Sequence, residues 1–110
     1  MTDALADRCA TLAQPVVDLM AAAIECQAGG ADAFARVADL AAEVRRVAER
    51  GSTGIDQADY VAWTAAAPRL LTEMAEAAER RDSRAVWAAF ADPQAGLHRL
   101  GTACAGQPRW

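Results

Sequence analysis

The chain has 110 residues, 54% of them apolar, with 15 acidic residues against 11 arginines, no lysine and a formal charge of −4. That length suits one domain over residues 1–110 that buries a single core without metal or disulfide staples. The acidic balance and scattered arginines lack the clustered positive field that a nucleic-acid binder needs, so no nucleic-acid partner is expected.

Alanine supplies most of the apolar fraction, and strand-favouring β-branched and aromatic residues are sparse, which points to helix. The lysine-free, Ala- and Arg-rich usage fits a GC-rich bacterial genome. Asp3, Asp7 and Arg8 interrupt the first ten residues, where a secretory signal would need an apolar run. The longest apolar stretch, Leu19 to Ile24, is shorter than the roughly 20 residues that span a bilayer. A cytoplasmic protein with no membrane partner is therefore expected, and with it three free thiols at Cys9, Cys26 and Cys104.

From Thr2 to Ala28, the positions Leu5, Cys9, Leu12, Val16, Leu19, Ala23 and Cys26 recur at steps of four and three, the spacing of a helix burying one stripe. Gly29-Gly30 stops it. A second helix is predicted over Ala31 to Arg50, with Phe34, Val37, Leu40, Ala41, Val44 and Val47 inward and an Asp32–Arg36 pair on its surface. Gly51-Ser52-Thr53-Gly54 then reverses the chain.

Asp56 is the predicted cap of a third helix, whose inner stripe is Tyr60, Trp63, Ala67, Leu70, Met74 and Ala78. Pro68 should kink or split it near Thr64. After a turn at Arg80-Arg81-Asp82, a fourth helix capped by Asp82 or Ser83 carries Val86, Phe90, Leu97, Leu100 and Cys104, with an interruption at Asp92-Pro93. Short connections make neighbours antiparallel. The predicted fold is therefore all-α, an up-down-up-down four-helix bundle, the competing arrangement being a compact array of five or six helices split at Pro15, Pro68 and Pro93.

That topology sets the start of the first helix beside the end of the last. Cys9 and Cys104 become a candidate redox pair, with Cys26 at the other end; the competing reading is small apolar residues on a core stripe. His98 is the single histidine and has no partner at His-x-x-x-His or Glu-x-x-His spacing, so no metal site and no cofactor are expected. Glu73 and Glu76 have Arg69 and Arg80 four positions away, the pattern of a solvated salt-bridge face. No catalytic group stands out, and the chain reads as a non-enzyme.

The tryptophans are more suggestive. Trp63 belongs to an inner stripe, Trp87 lies at the edge of the fourth helix, and Trp110 ends a tail that Pro108 keeps from being helical; docking of that tail on a partner competes with its folding back on its own bundle or staying disordered. Trp and Arg are enriched at binding hot spots, so Trp87, Arg109 and Trp110 are the candidate partner-binding residues of a helical interaction module, possible partners being another protein or a second copy. The alternative is a small-molecule carrier or sensor with a pocket inside the bundle lined by Met20, Trp63, Met74, Trp87 and Phe90.

Residues Ala77 to Arg109 also resemble the C-terminal helix of cytochrome c prime, through Val86-Trp87-Ala88-Ala89-Phe90 and Leu100-Gly101-Thr102-Ala103-Cys104-Ala105. In that family the cysteine opens a Cys-x-x-Cys-His haem-attachment motif. Here the run continues Gly106-Gln107-Pro108, without the second cysteine or the histidine. The resemblance implies a helical bundle and implies no haem.

Overall fold

In a computed structural model, residues 3–93 and 96–110 are described, and the elements among them are all helical. They are α1 (Ala4–Gln27), α2 (Ala31–Ala48), α3 (Ala58–Glu79), α4 (Ser83–Phe90) and α5 (Leu97–Ala103). Helix α1 packs on α2, α2 on α3, α3 on both α4 and α5, and α4 on α1. The molecule is elongated, 45 × 23 × 20 Å.

Local chemistry fixes most boundaries. The Asp3 carboxylate accepts from the backbone N–H groups of Leu5 and Ala6 and starts α1. At its other end Gly29 adopts φ 84°, while the Gly30 and Gly29 N–H groups bond the carbonyls of Glu25 and Cys26. These two bonds make a Schellman stop, which a residue without Cβ accommodates at little cost. Helix α3 ends in the same way, through Asp82 N–H to Ala77 O and Arg81 N–H to Ala78 O, but the left-handed position is filled by Arg81 at φ 56°. An exposed arginine there carries a Cβ clash that glycine lacks. Arg81→Gly is expected to raise stability by up to about 1 kcal/mol, read as a higher urea midpoint with unchanged slope.

Three expectations need correction. The cap of α3 is Gln57, whose Oε1 accepts from Tyr60 N–H at 2.7 Å, and not Asp56. Arg36 reaches back to Glu25 of α1 rather than pairing with Asp32, so it clamps two helices instead of decorating one. Pro68 does not split α3, nor does Pro15 split α1; both helices run through. Each proline leaves the carbonyl four residues earlier without its helical donor, at Thr11 and at Thr64. The hydroxyls of these two threonines donate to Asp7 O and Val61 O, at 2.9 Å each, a local bond known to accompany gentle helix bending.

The chain does break at Asp92-Pro93. Helix α4 has only eight residues and α5 seven. Gln27 Nε2 at the end of α1 donates to Ser83 O at the start of α4, and Cys104 just beyond α5 is bonded to Cys9 near the start of α1. The pair α4–α5 thus runs back along α1. The core between the helices is alanine-rich, filled by Trp63, Tyr60, Leu12, Leu19, Leu71, Met74 and Leu100.

Candidate functional site

Two stripes on α1 govern the surface. One stripe, Cys9, Leu12, Leu19, Ala23 and Cys26, is buried in the core. A second, Val17, Met20 and Ile24, recurs at steps of three and four on another side and stays 42–52% exposed. This double apolar character gives α1 a mean hydropathy of 1.3 over 18 residues, long and apolar enough to cross a membrane by length and composition, which the short run Leu19 to Ile24 does not disclose. In this fold one stripe is covered by the other helices and the other faces outward.

Helix α4 extends the outward stripe. Trp87 is 40% exposed and stacks on Phe90, with ring centroids 5.4 Å apart and planes 16° from parallel. Beside the two rings lies an open groove of about 380 Å³ lined by Val16, Met20, Trp87, Phe90, Leu97 and His98. Tilted or stacked aromatic pairs bring large apolar area at small entropic cost, as interface anchors do.

The five residues expected to line one internal pocket therefore divide. Met20, Trp87 and Phe90 meet at this surface groove, whereas Trp63 and Met74 are fully buried in the packed core. The pocket reading set all five inside the bundle; α1 turns Met20 outward, and Trp87 keeps the edge position expected of it. His98 is exposed on the groove wall. Sequence reading missed Val17 and Ile24; their spacing with Met20 was the available signal, hidden because an apolar helix has more than one stripe.

The tail folds back on its own bundle. The Trp110 indole Nε1 donates to Cys9 O at 2.8 Å and the ring packs on the core, while Arg109 Nη2 donates to the Gln14 Oε1 at 2.5 Å. Arg109 and Trp110 are thus applied to α1, apart from Trp87, rather than projecting as a free hook. Nor are all the thiols free. The Cys9 and Cys104 sulfurs form a disulfide, both residues being fully buried, and Cys26 alone is a free cysteine. Burial pushes the Cys26 thiol up from its ordinary pKa, which keeps it protonated and weakly nucleophilic.

Around the disulfide end, Tyr60 lies at 5.7 Å from Trp63, ring to ring. Burial raises the Tyr60 hydroxyl pKa; Arg8 and Arg50 pull against that shift, and the Arg8 guanidinium sits beside the hydroxyl without a well-formed hydrogen bond. A second groove, of about 470 Å³ between α3 and α4, has Glu73, Glu76, Arg80 and Asp92 on its rim. Glu73 is paired with Arg69 at 3.4 Å, the solvated i,i+4 arrangement expected from the spacing. Among the described residues no group of three or more His, Cys, Asp or Glu is placed to hold a metal.

Comparison with protein-family models, curated proteins and solved structures gives no match to this chain. In the segment that resembles cytochrome c prime, the Cys104 sulfur is engaged with Cys9, so that likeness extends to helical character and not to a thioether-bound haem.

Proposed function

We propose that this chain is a non-enzymatic helical interaction module that associates with a second copy of itself through the α1–α4 face. The observation that carries the reading is the cluster of exposed apolar side chains, Val17, Met20, Ile24 and Trp87, set on one side with the Trp87–Phe90 stack. Scattered exposed apolar residues need no explanation, but a contiguous set with an aromatic anchor is a common mark of an interface.

A second copy suits this face on three counts. A twofold contact uses one patch twice, so the patch must tolerate itself; Val17, Met20, Ile24, Trp87 and Phe90 carry no charge and do not repel their counterparts. The face offers raised side chains next to a recess, the relief that self-packing requires. One long side of the 45 × 23 × 20 Å molecule, roughly 900 Å² in outline, bounds the contact from above near the ~800 Å² per partner of a standard interface, with the apolar patch at its centre. The bundle reading belongs to the same proposal: α1, α2 and α3 are three members of a four-helix bundle and α4 with α5 shares the fourth position.

Light scattering or sedimentation over a concentration series tests this. The wild-type protein is expected to dimerise, and Met20→Glu and Trp87→Arg are each expected to weaken the dimer at least tenfold, because each sets a charge against an apolar surface. Glu73→Gln, on the other groove, should leave the dimer unchanged. A wild-type protein that stays monomeric across the series, or a dimer indifferent to both substitutions, would overturn the reading.

A further inference from the structure

We propose that the Cys9–Cys104 disulfide is a redox latch on the strap Ala105–Trp110, and that its reduction by a dithiol frees the strap while α1, α2 and α3 stay packed. This inference goes beyond the self-association reading and stands without it.

The strap lies along α1 through few contacts. Its polar attachments to α1 are the Trp110 Nε1 bond to Cys9 O and the Arg109 bond to Gln14. Ala105, Gly106, Pro108 and Arg109 are exposed, and Trp110 is half-buried. Its backbone is held in an unfavourable form, with Arg109 at φ 74°, a left-handed conformation that a side-chain-bearing residue adopts only when its surroundings impose it. The covalent link at Cys104, immediately before the strap, fixes where the strap begins on α1. Once it opens, the two side-chain bonds to α1, one partly covered indole and the turn bonds from Ala105, Gln107 and Trp110 N–H to Thr102, Cys104 and Gln107 O are left to offset the ordering of six residues.

The remaining helices have anchors of their own. Leu12 and Leu19 of α1, Val37 and Val44 of α2 and Trp63, Leu71 and Met74 of α3 are buried in the core that these three helices share. Reduction therefore loosens the strap before it loosens the array. Both sulfur-bearing residues are fully buried, so the reductant gains access only while the strap and the last turn of α5 are lifted. That makes reduction and release one coupled event.

The chemistry balances as thiol–disulfide exchange. A thiolate of the dithiol attacks one of the two sulfurs, forms a mixed disulfide and expels the other cysteine as a thiolate, which takes up a proton. The second thiol of the reductant then closes its own disulfide and expels the second cysteine. Two electrons and two protons pass from the dithiol to Cys9 and Cys104. The released strap presents Arg109 and Trp110 outward and frees the exposed Gln14, one helical turn from Val17 on the outward stripe of α1, from its bond to Arg109.

Amide hydrogen exchange with mass spectrometry, on the full chain, is the test. The samples are the oxidised protein, the protein treated with dithiothreitol, and a Cys9→Ser/Cys104→Ser variant kept without reductant. The oxidised chain should show one reactive thiol after denaturation. Reduction should speed exchange across residues 104–110 at least tenfold at the shortest labelling times, while α2 and α3 stay protected at those times and accelerate only in the slow amides that exchange through global unfolding, and the serine variant should match the reduced protein. Three thiols in the protein purified without reductant, unchanged exchange at 104–110, or loss of protection throughout α2 and α3 at the shortest labelling times would each overturn the latch. Association is read separately by light scattering: a monomeric wild type with the expected exchange pattern removes the self-association reading and leaves the latch in place.

Discussion

Loss of the Cys9–Cys104 bond is expected to lower the free energy of unfolding by about 4.5 kcal/mol. The two cysteines are 95 positions apart, so the bond ties nearly the whole chain into one ring. In the chain-entropy account, a ring of that size removes about 4–5 kcal/mol of freedom from the unfolded ensemble. Against the 5–15 kcal/mol typical of a whole domain, this is a large share. The core must supply the rest, and an alanine-rich core buries less area per residue than one of leucines.

Urea unfolding of the oxidised protein against the Cys9→Ser/Cys104→Ser variant measures the difference. The variant should remain helical in water, unfold at lower urea, and show a steeper dependence on denaturant, because an unlinked unfolded chain exposes more surface. In a thermal scan the midpoint should fall by roughly 20 °C. A difference under about 1 kcal/mol would mean that the native state gains little from the closed ring. The helix framework would then carry nearly all the stability by itself.

Much of this architecture was legible because helix signals are local. The steps of three and four in α1, the Gly29-Gly30 stop and the Asp82 cap each depend on residues within a turn or two of one another. The meeting of Cys9 and Cys104 followed from topology, since short connections leave a returning chain little choice. What was illegible depended on competition between neighbours. Asp56 and Gln57 can both cap α3, and the choice falls to whichever side chain the loop aims at the Tyr60 N–H. Pro68 reads as a break, yet α3 continues because Trp63, Leu71 and Met74 on either side of it are buried in the same core.

The candidate site was legible in part for a related reason. Trp87 is next to the buried Val86, and adjacent helical positions point about 100° apart, so its edge location could be read directly. The outward stripe of α1 could not. With Leu5, Leu12, Val16, Val17, Leu19, Met20 and Ile24 all apolar, several stripes satisfy helical spacing, and only the placement of α2 and α4 decides which is covered. Arg109 and Trp110 illustrate the opposite difficulty: composition marked them as anchors without revealing that their first available partner is α1 of the same chain.

Gly96→Ala is expected to destabilise the protein by about 3 kcal/mol, the upper part of the usual range for forcing an atom into a filled space. The cause is steric and not torsional. Gly96 has φ −79° and ψ 180°, extended backbone open to any residue. A Cβ at this position, however, would stand 2.4 Å from Asp92 O, 2.6 Å from Phe90 O and 2.7 Å from Asp92 N, all backbone atoms. Gly96 N–H also donates to Asp92 O at 2.8 Å, which holds Gly96 against the Asp92 backbone. This explains why the N-cap of α5 carries no Ser, Thr, Asn or Asp: the capping preference yields to the absence of room. Moving the turn would shift Leu97 and Leu100 from the core and carry Cys104 away from Cys9. Gly101, inside α5 with nothing within 4 Å of a Cβ, makes the comparison decisive. Gly101→Ala should stabilise by about 0.5–1 kcal/mol through helix propensity. Opposite signs for two Gly→Ala changes five residues apart, measured by urea unfolding of the oxidised protein, would locate the constraint in the α4–α5 turn. Equal signs would mean that the turn is free to rearrange, and that α5 is held in place by its disulfide and buried leucines alone.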